Sequence, residues 1–180
     1  GLGNAFLSHI AATDAIFHIC RTYEETSDGD AATHVEDSVD PVRDLEIIAK
    51  ELIDKDIAAV KKVREPLAKE VSRDGKAKDK KDKLAATDKI LECLEGGKDV
   101  RFGEWNNKEI DVINEYNLLT AKPALYLINM SEKDFLRKKN KFLPKVPAAY
   151  EPGLQFRKPG LRFEQHRSGT QLRLLPPQHA

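Results

Sequence analysis

Apolar positions along this chain recur in two rhythms. Leu45, Ile48, Leu52, Ile53, Ile57, Val60, Val63, Leu67 and Val71 fall at steps of mostly three or four with charges between them, the pattern of an amphipathic helix. Asp40-Pro41 opens that helix well, because aspartate accepts from free first-turn amides and proline at the first helical position gives up no needed donor. Pro66 predicts a kink or a break within the run. A second run at Leu84, Ile90, Leu91 and Leu94 follows a lysine-rich turn over 74–83 and ends at Gly96-Gly97. Together they predict an antiparallel helical hairpin over 41–97. Such a hairpin buries little apolar surface by itself, so it is expected to project from a larger body as a solvated coiled-coil arm or a docking arm.

The second rhythm is short and dense. Ala15 to Cys20 and Ala124 to Ile128 are apolar runs of strand length, and the latter, after Lys122-Pro123, reads as a strand buried on both faces. A helix at 4–10, with Phe6, Leu7 and Ile10 on one face, feeds the first strand. His18 within it reads as a hydrogen-bonded interior histidine. Asn106 to Ile110 opens another helix with Ile110, Ile113 and Leu118 inward, and Trp105 reads as a packing anchor beneath the arm. Residues 30–37 read as a loop. Ser131, with Asp134 three positions on, reads as a helix cap, which leaves Asn129 at the carboxyl end of the second strand. In open α/β sheets ligands bind at that edge, and a carboxamide there offers a purine both a donor and an acceptor. Spacing alone fits equally well a strand-to-helix turn in which Asn129 and Ser131 satisfy local backbone groups.

Composition narrows this modestly. The chain has 180 residues, enough for one domain and a core, and 33% are charged, yet 30 basic residues cancel 30 acidic ones. Net charge therefore points to neither nucleic acid nor membrane. Locally, Lys133, Arg137, Lys138, Lys139, Lys141 and Lys145 form a basic stretch, readable as a solvated helix face or as a phosphate-contacting surface for RNA. Cys20 and Cys93 lack metal or disulfide spacing and suit reduced thiols in a cytosolic protein. No apolar stretch approaches the ~20 residues of a membrane span. The only methionine is Met130 and the chain opens with Gly1-Leu2-Gly3, so further sequence is expected upstream. Residues 146–180, rich in proline and arginine without a sustained period, read as a disordered tail.

Four stretches, in this order, resemble one family: Gly1 to Ile10, Asp37 to Asp44, Asn129-Met130-Ser131-Glu132, and Phe135 to Lys141. They are similar to the Obg-like ATPases of the YchF type, P-loop NTPases of the translation-factor class, over about residues 1–145. The resemblance implies an α/β fold, a partial G-domain-like parallel sheet carried by 1–40 and 98–145 and interrupted by the helical hairpin at 41–97. It also implies that the strands at 15–20 and 124–128 are neighbours. Most relatives of that class read guanine through Asn-Lys-x-Asp; here Glu132 stands for the aspartate, a change that in this family goes with a preference for ATP over GTP. By that carry-over Asn129, Met130 and Glu132 are the base-pocket positions. Adenine has no ring N–H for an acidic partner to accept, which agrees.

The phosphate loop and the magnesium-holding and switch segments of the family are expected upstream of Gly1, so no catalytic or metal-binding residue is assigned in this chain. ATP, with Mg2+ in the intact family, is the expected cofactor, and hydrolysis by this chain alone is not expected. Three readings stand: part of an ATP-hydrolysing, ribosome-linked NTPase; a module that docks on RNA or the ribosome through the arm and the basic helix; or a truncated product without activity. Without the neighbouring central strand of the family, an apolar strand edge is expected to be bare and to favour self-association. The expected partners are thus an adenine nucleotide and a ribosomal or RNA surface, with no membrane, in the cytoplasm.

Overall fold

The computed structural model describes residues 3–23, 38–74 and 77–145, and the backbone of two strands at 162–165 and 172–175. The loop read at 30–37 lies outside the described residues. In chain order the elements are α1 (Asn4–Ala11), β1 (Ile16–Arg21), α2 (Pro41–Arg73), α3 (Lys78–Glu95), α4 (Asn107–Tyr116), β2 (Ala124–Asn129), α5 (Glu132–Arg137), β3 (Arg162–Gln165) and β4 (Leu172–Leu175). They belong to two units, one of 1–16, 49–123 and 159–180, the other of 17–48 and 124–158.

The first unit holds the main core. Ile53 and Val60 of α2, Ala86, Ile90 and Leu94 of α3, and Ile110, Val112 and Ile113 of α4 share one apolar cluster with Val100, Trp105 and Leu118. Ion pairs fix how the first two helices run. Lys61 meets Glu95, Arg64 meets Asp88 and Glu70 meets Lys80, so partner numbers fall as helix numbers rise and the pair is antiparallel. These pairs are exposed and contribute little energy; the buried leucines and isoleucines hold the helices together.

Local chemistry sets the helix ends. The Asp40 carboxylate accepts from the amides of Val42 (3.0 Å) and Arg43 (3.3 Å), as its position before Pro41 predicts. At the end of α3, Gly97 takes a left-handed conformation (φ 72), and the Gly97 and Lys98 amides donate back to Leu94 and Cys93, closing a Schellman motif. Asn106 and Glu109 form a reciprocal capping box on α4.

Two expectations about the hairpin are corrected. Of the kink or break predicted at Pro66, the break does not occur: α2 continues from 41 to 73 with Pro66 at an exposed position, where a carbonyl left without its amide donor can be met by water. The lysine-rich stretch read as a turn is helical from Lys78 onward, because lysine is a good helix former and its charges find partners: Lys83 pairs with Glu115, and Asp82 with Lys108 at 3.0 Å.

Trp105 is a packing anchor, 8% exposed, with its indole N–H donating to the Val100 carbonyl at 2.7 Å. Its ring lies where a Cβ on Gly103 would come within 2.5 Å, and the Lys89 ammonium sits 5.1 Å above it. Near it, the buried Arg101 and Asp99 lie 3.0 Å apart and Arg101 also donates to the Lys122 carbonyl at 2.6 Å. Asp56, 2% exposed, accepts from the amides of Leu119 (3.0 Å) and Thr120 (2.7 Å) and from the Thr120 hydroxyl (2.7 Å). This carboxylate ties α2 to the turn that leads into β2.

In the second unit β1 and β2 form a two-stranded sheet. The Ile16 amide donates to Pro123 and the Thr22 amide to Asn129, so the strands rise together and are parallel. Cys20, Leu45 and Phe142, with Tyr126 and Ile128, cover one face. His18, buried on that face, stacks on Tyr126 at 5.5 Å. The expectation of a strand buried on both faces fails: Phe17 and Ile19 are each 67% exposed, and Leu125 and Leu127 are 54% and 42% exposed. A parallel sheet needs a layer on each side, and among the described residues only one side has it. Of the residues read on one face of the first helix, Phe6 is likewise exposed and Leu7 is buried.

Within the segment read as a disordered tail, β3 and β4 pair antiparallel, with Arg162 opposite Leu175 and Gln165 opposite Leu172. Four-residue strands are too short for a period to show in sequence; the rest of 146–180 lies outside the described residues.

Candidate functional site

The second unit has a cleft where both strands end. Asn129 is the last residue of β2 and is exposed; Met130 and Ser131 follow half-buried, and Glu132 opens α5, exposed. All four line the cleft, together with Thr22 and Tyr23 from the end of β1 and residues of the basic stretch after α5. Parallel strands bring their carboxyl ends to one edge, which is why positions a hundred residues apart meet here.

Ser131 caps α5 as its spacing predicts, its hydroxyl accepting from the Asp134 amide at 3.2 Å. That cap fixes where Glu132 stands. Glu132 and Asp134 lie in the first turn, where the amide ends of the helix favour negative charge. Among the described residues nothing hydrogen-bonds the Asn129 carboxamide, whereas its backbone carbonyl accepts twice from Thr22, from the amide at 3.0 Å and the hydroxyl at 2.9 Å. The side-chain donor and acceptor of Asn129 therefore face the cleft uncommitted.

The structure thus brings Asn129, Met130 and Glu132 to one place. Sequence reasoning missed Thr22 and Asn140. The Asn140 amide donates to Asp134 at 2.7 Å and to the Thr22 carbonyl at 3.1 Å. Nothing in the local sequence marks Thr22, which follows β1, as a partner for a residue 107 positions later.

Lys133, Arg137, Lys138, Lys139, Lys141 and Lys145 are all exposed, and so are Phe135 and Leu136 on α5 at 67% and 72%. Arranged this way, the cleft can accept a planar heterocycle with polar edges and present cations to anionic groups beside it. Among the described residues no group of three His, Cys, Asp or Glu side chains is placed to hold a metal ion. No helix of the described residues is long and apolar enough to cross a membrane.

No protein-family model matches the chain. Individual proteins do. Obg-like ATPase 1 of Oryza sativa subsp. indica is 53% identical over 150 residues, taking in 82% of this chain and 36% of that protein. Obg-like ATPase 1 of Caenorhabditis elegans is 50% identical over 148 residues, with 82% and 36% covered, and that of Saccharomyces cerevisiae 45% identical over 159, with 85% and 39% covered. Among solved structures, the Schizosaccharomyces pombe YchF GTPase superposes with a TM-score of 0.74 at 45% identity, over 85% of this chain and 40% of that one. The chain spans little more than a third of the length of the curated relatives it matches.

Proposed function

The chain belongs to the Obg-like ATPase family of the YchF type, and from that premise we propose that it carries the base-reading part of an ATP-preferring, translation-linked nucleotide hydrolase and is silent in hydrolysis on its own. The observation that carries this reading is the Asn129 carboxamide, exposed and without a hydrogen bond among the described residues, at the carboxyl edge of a parallel pair. Adenine presents one donor and one acceptor on its pairing edge, and a carboxamide answers both. Guanine presents two donors there, which call for a carboxylate held opposite. Glu132 is one methylene longer than the aspartate that fills that role in most of the class, and it stands in the first turn of α5. Met130 supplies the backbone beside the base.

The relatives' names differ on the nucleotide, ATPase for the curated proteins and GTPase for the solved structure. Base preference is thus the discriminating measurement. A base seat without a phosphate cradle contributes about 4 kcal/mol at most, or millimolar affinity. Titrating the 180-residue chain with ATP and with GTP, followed by amide resonances of 129–134, is expected to show the tighter response to ATP. Asn129→Ala should abolish the difference; equal responses from the parent chain overturn the reading. Magnesium supplies charge stabilisation for phosphoryl transfer, and among the described residues no group of three His, Cys, Asp or Glu side chains is placed to hold a metal ion. Phosphate release from ATP is therefore expected at the buffer rate with or without chelator, and chelator-sensitive turnover refutes this.

A second reading, docking on RNA or a ribosomal surface through the hairpin of 41–97 and the basic stretch, is favoured by the six exposed cations between 133 and 145. Such binding would weaken steeply with added salt and would not depend on Asn129. The setting for either activity is the cytoplasm. The bare face of Phe17, Ile19, Leu125 and Leu127, beside a strand edge unpaired among the described residues, supports self-association of this chain.

A further inference from the structure

We infer that Thr22 and Asn140, which no sequence motif of the base site includes, act as a clamp that positions the 129–132 segment and thereby sets its preference between purines; this deepens the base-site reading and rests on it. The clamp is a chain of hydrogen bonds. Thr22, 4% exposed, gives both its amide (3.0 Å) and its hydroxyl (2.9 Å) to the Asn129 carbonyl, so both lone pairs of that oxygen are engaged. Asn140 then holds Thr22, its amide reaching the Thr22 carbonyl (3.1 Å) and hydroxyl oxygen (3.3 Å). The same amide donates to Asp134 at 2.7 Å, and the Asp134 backbone is held in turn by Ser131 at 3.2 Å. The path leaves Asn129, crosses to the neighbouring strand, passes through Asn140 and returns through α5 to Ser131. It encloses the turn that carries Met130 and Glu132.

The orientation of Asn140 is determined. Its side-chain oxygen accepts from the Phe142 amide at 2.9 Å, which leaves the two N–H groups for Asp134 and for the paired oxygens of Thr22, which share one hydrogen. Phe142 is buried in the cluster with Cys20 and Leu45, so the clamp is anchored in the core of its unit. The chain reaches this position through Lys138, which takes a left-handed conformation (φ 52) that residues with a Cβ seldom adopt. A tight reversal is what returns Asn140 toward Thr22. Because the Asn129 side chain has no partner of its own among the described residues, its aim depends on its backbone, and its backbone depends on Thr22. These are positioning residues.

The test uses the 180-residue chain with ATP and GTP as probes and the ratio of their affinities as readout, alongside thermal melts. Thr22→Ser keeps the hydroxyl and is expected to keep the parent ratio. Thr22→Val is isosteric without it, and Asn140→Asp replaces the donor with an acceptor facing Asp134. Each is expected to weaken ATP about five- to tenfold, the effect of one hydrogen bond, and to bring the ratio toward one while the chain stays folded. A preference that survives both substitutions overturns the clamp alone. Absence of any preference in the parent chain overturns the base reading and the clamp's role with it. Global unfolding of Thr22→Val also overturns it, since the hydroxyl would then support the fold rather than the turn.

Discussion

Asp56 shows how much one buried side chain can decide. Its carboxylate is the acceptor for two amides and a hydroxyl in the turn before β2, and all three would be orphaned by its loss. Burial pushes its carboxyl above the usual 3.8, against the pull of those donors toward the ionised form. The folded chain therefore holds this proton more tightly than the unfolded chain does. Its contribution to stability is greatest below the unfolded value and declines as pH rises from about 4 through the raised folded value. Asp56→Asn removes one acceptor and all titration, so the variant should be about 1–3 kcal/mol less stable in urea unfolding. The gap to the parent should shrink between pH 4 and pH 7; a gap that widens over that range contradicts the sign.

Burial likewise pushes the Lys122 ammonium down, opposed by Asp14 and Asp56, and its contact with Asn117 at 2.8 Å completes the polar joint. None of this was legible in sequence. Asp56 sits in a run of charges on α2 that reads as solvated, and only packing shows that it points inward. The positions proposed for the base fare differently: Ser131 is legible as a cap from its spacing to Asp134, since a cap is a contact between near neighbours, whereas Asn129 and Glu132 stand out as base positions only through the family resemblance.

Elements follow the same division. α2 was legible from its period and its Asp40-Pro41 opening, and α3 from its period and its glycine stop. Whether Pro66 interrupts α2 was not, because that depends on whether water can reach the carbonyl it orphans. Water can, at an exposed position, and the helix runs on. The missing hydrogen bond still costs about 3 kcal/mol in a helix interior, offset by up to about 1 kcal/mol of stiffness that proline gives the unfolded chain. Pro66→Ala should thus raise stability by about 2 kcal/mol, read as a higher urea midpoint at an unchanged slope. A lower midpoint would mean that this proline fits its site without strain.

At the scale of the whole molecule, the chain carries a main core of three helices and a smaller unit built on two parallel strands. Among the described residues, Phe17, Ile19, Leu125 and Leu127 form an exposed apolar face on the two strands. At about 25 cal/mol per Å² of apolar surface removed from water, covering such a face favours association strongly enough to compete with solubility. Sedimentation of the 180-residue chain should show mass rising with concentration. Phe17→Lys combined with Leu125→Lys should shift the material toward monomer without lowering the melting temperature. A parent chain that stays monomeric at high concentration refutes self-association.

By itself the sequence determined what depends on neighbours along the chain: helix periods, the caps at Asp40 and Ser131, a helix opening at Asn106, a stop at Gly96-Gly97, and the strand that delivers Asn129 to an edge. Four short stretches also carried the family likeness. Only tertiary structure decided which face of each strand is covered, that Asp56 is a buried anchor, and that Thr22 and Asn140 close around the turn after β2. The bonds of Asp56 to the turn and of Thr22 to Asn129 and Asn140 join residues 63 to 118 positions apart. Periodicity reports the environment of one element at a time, whereas a hydrogen bond between two distant elements exists only once both have been placed.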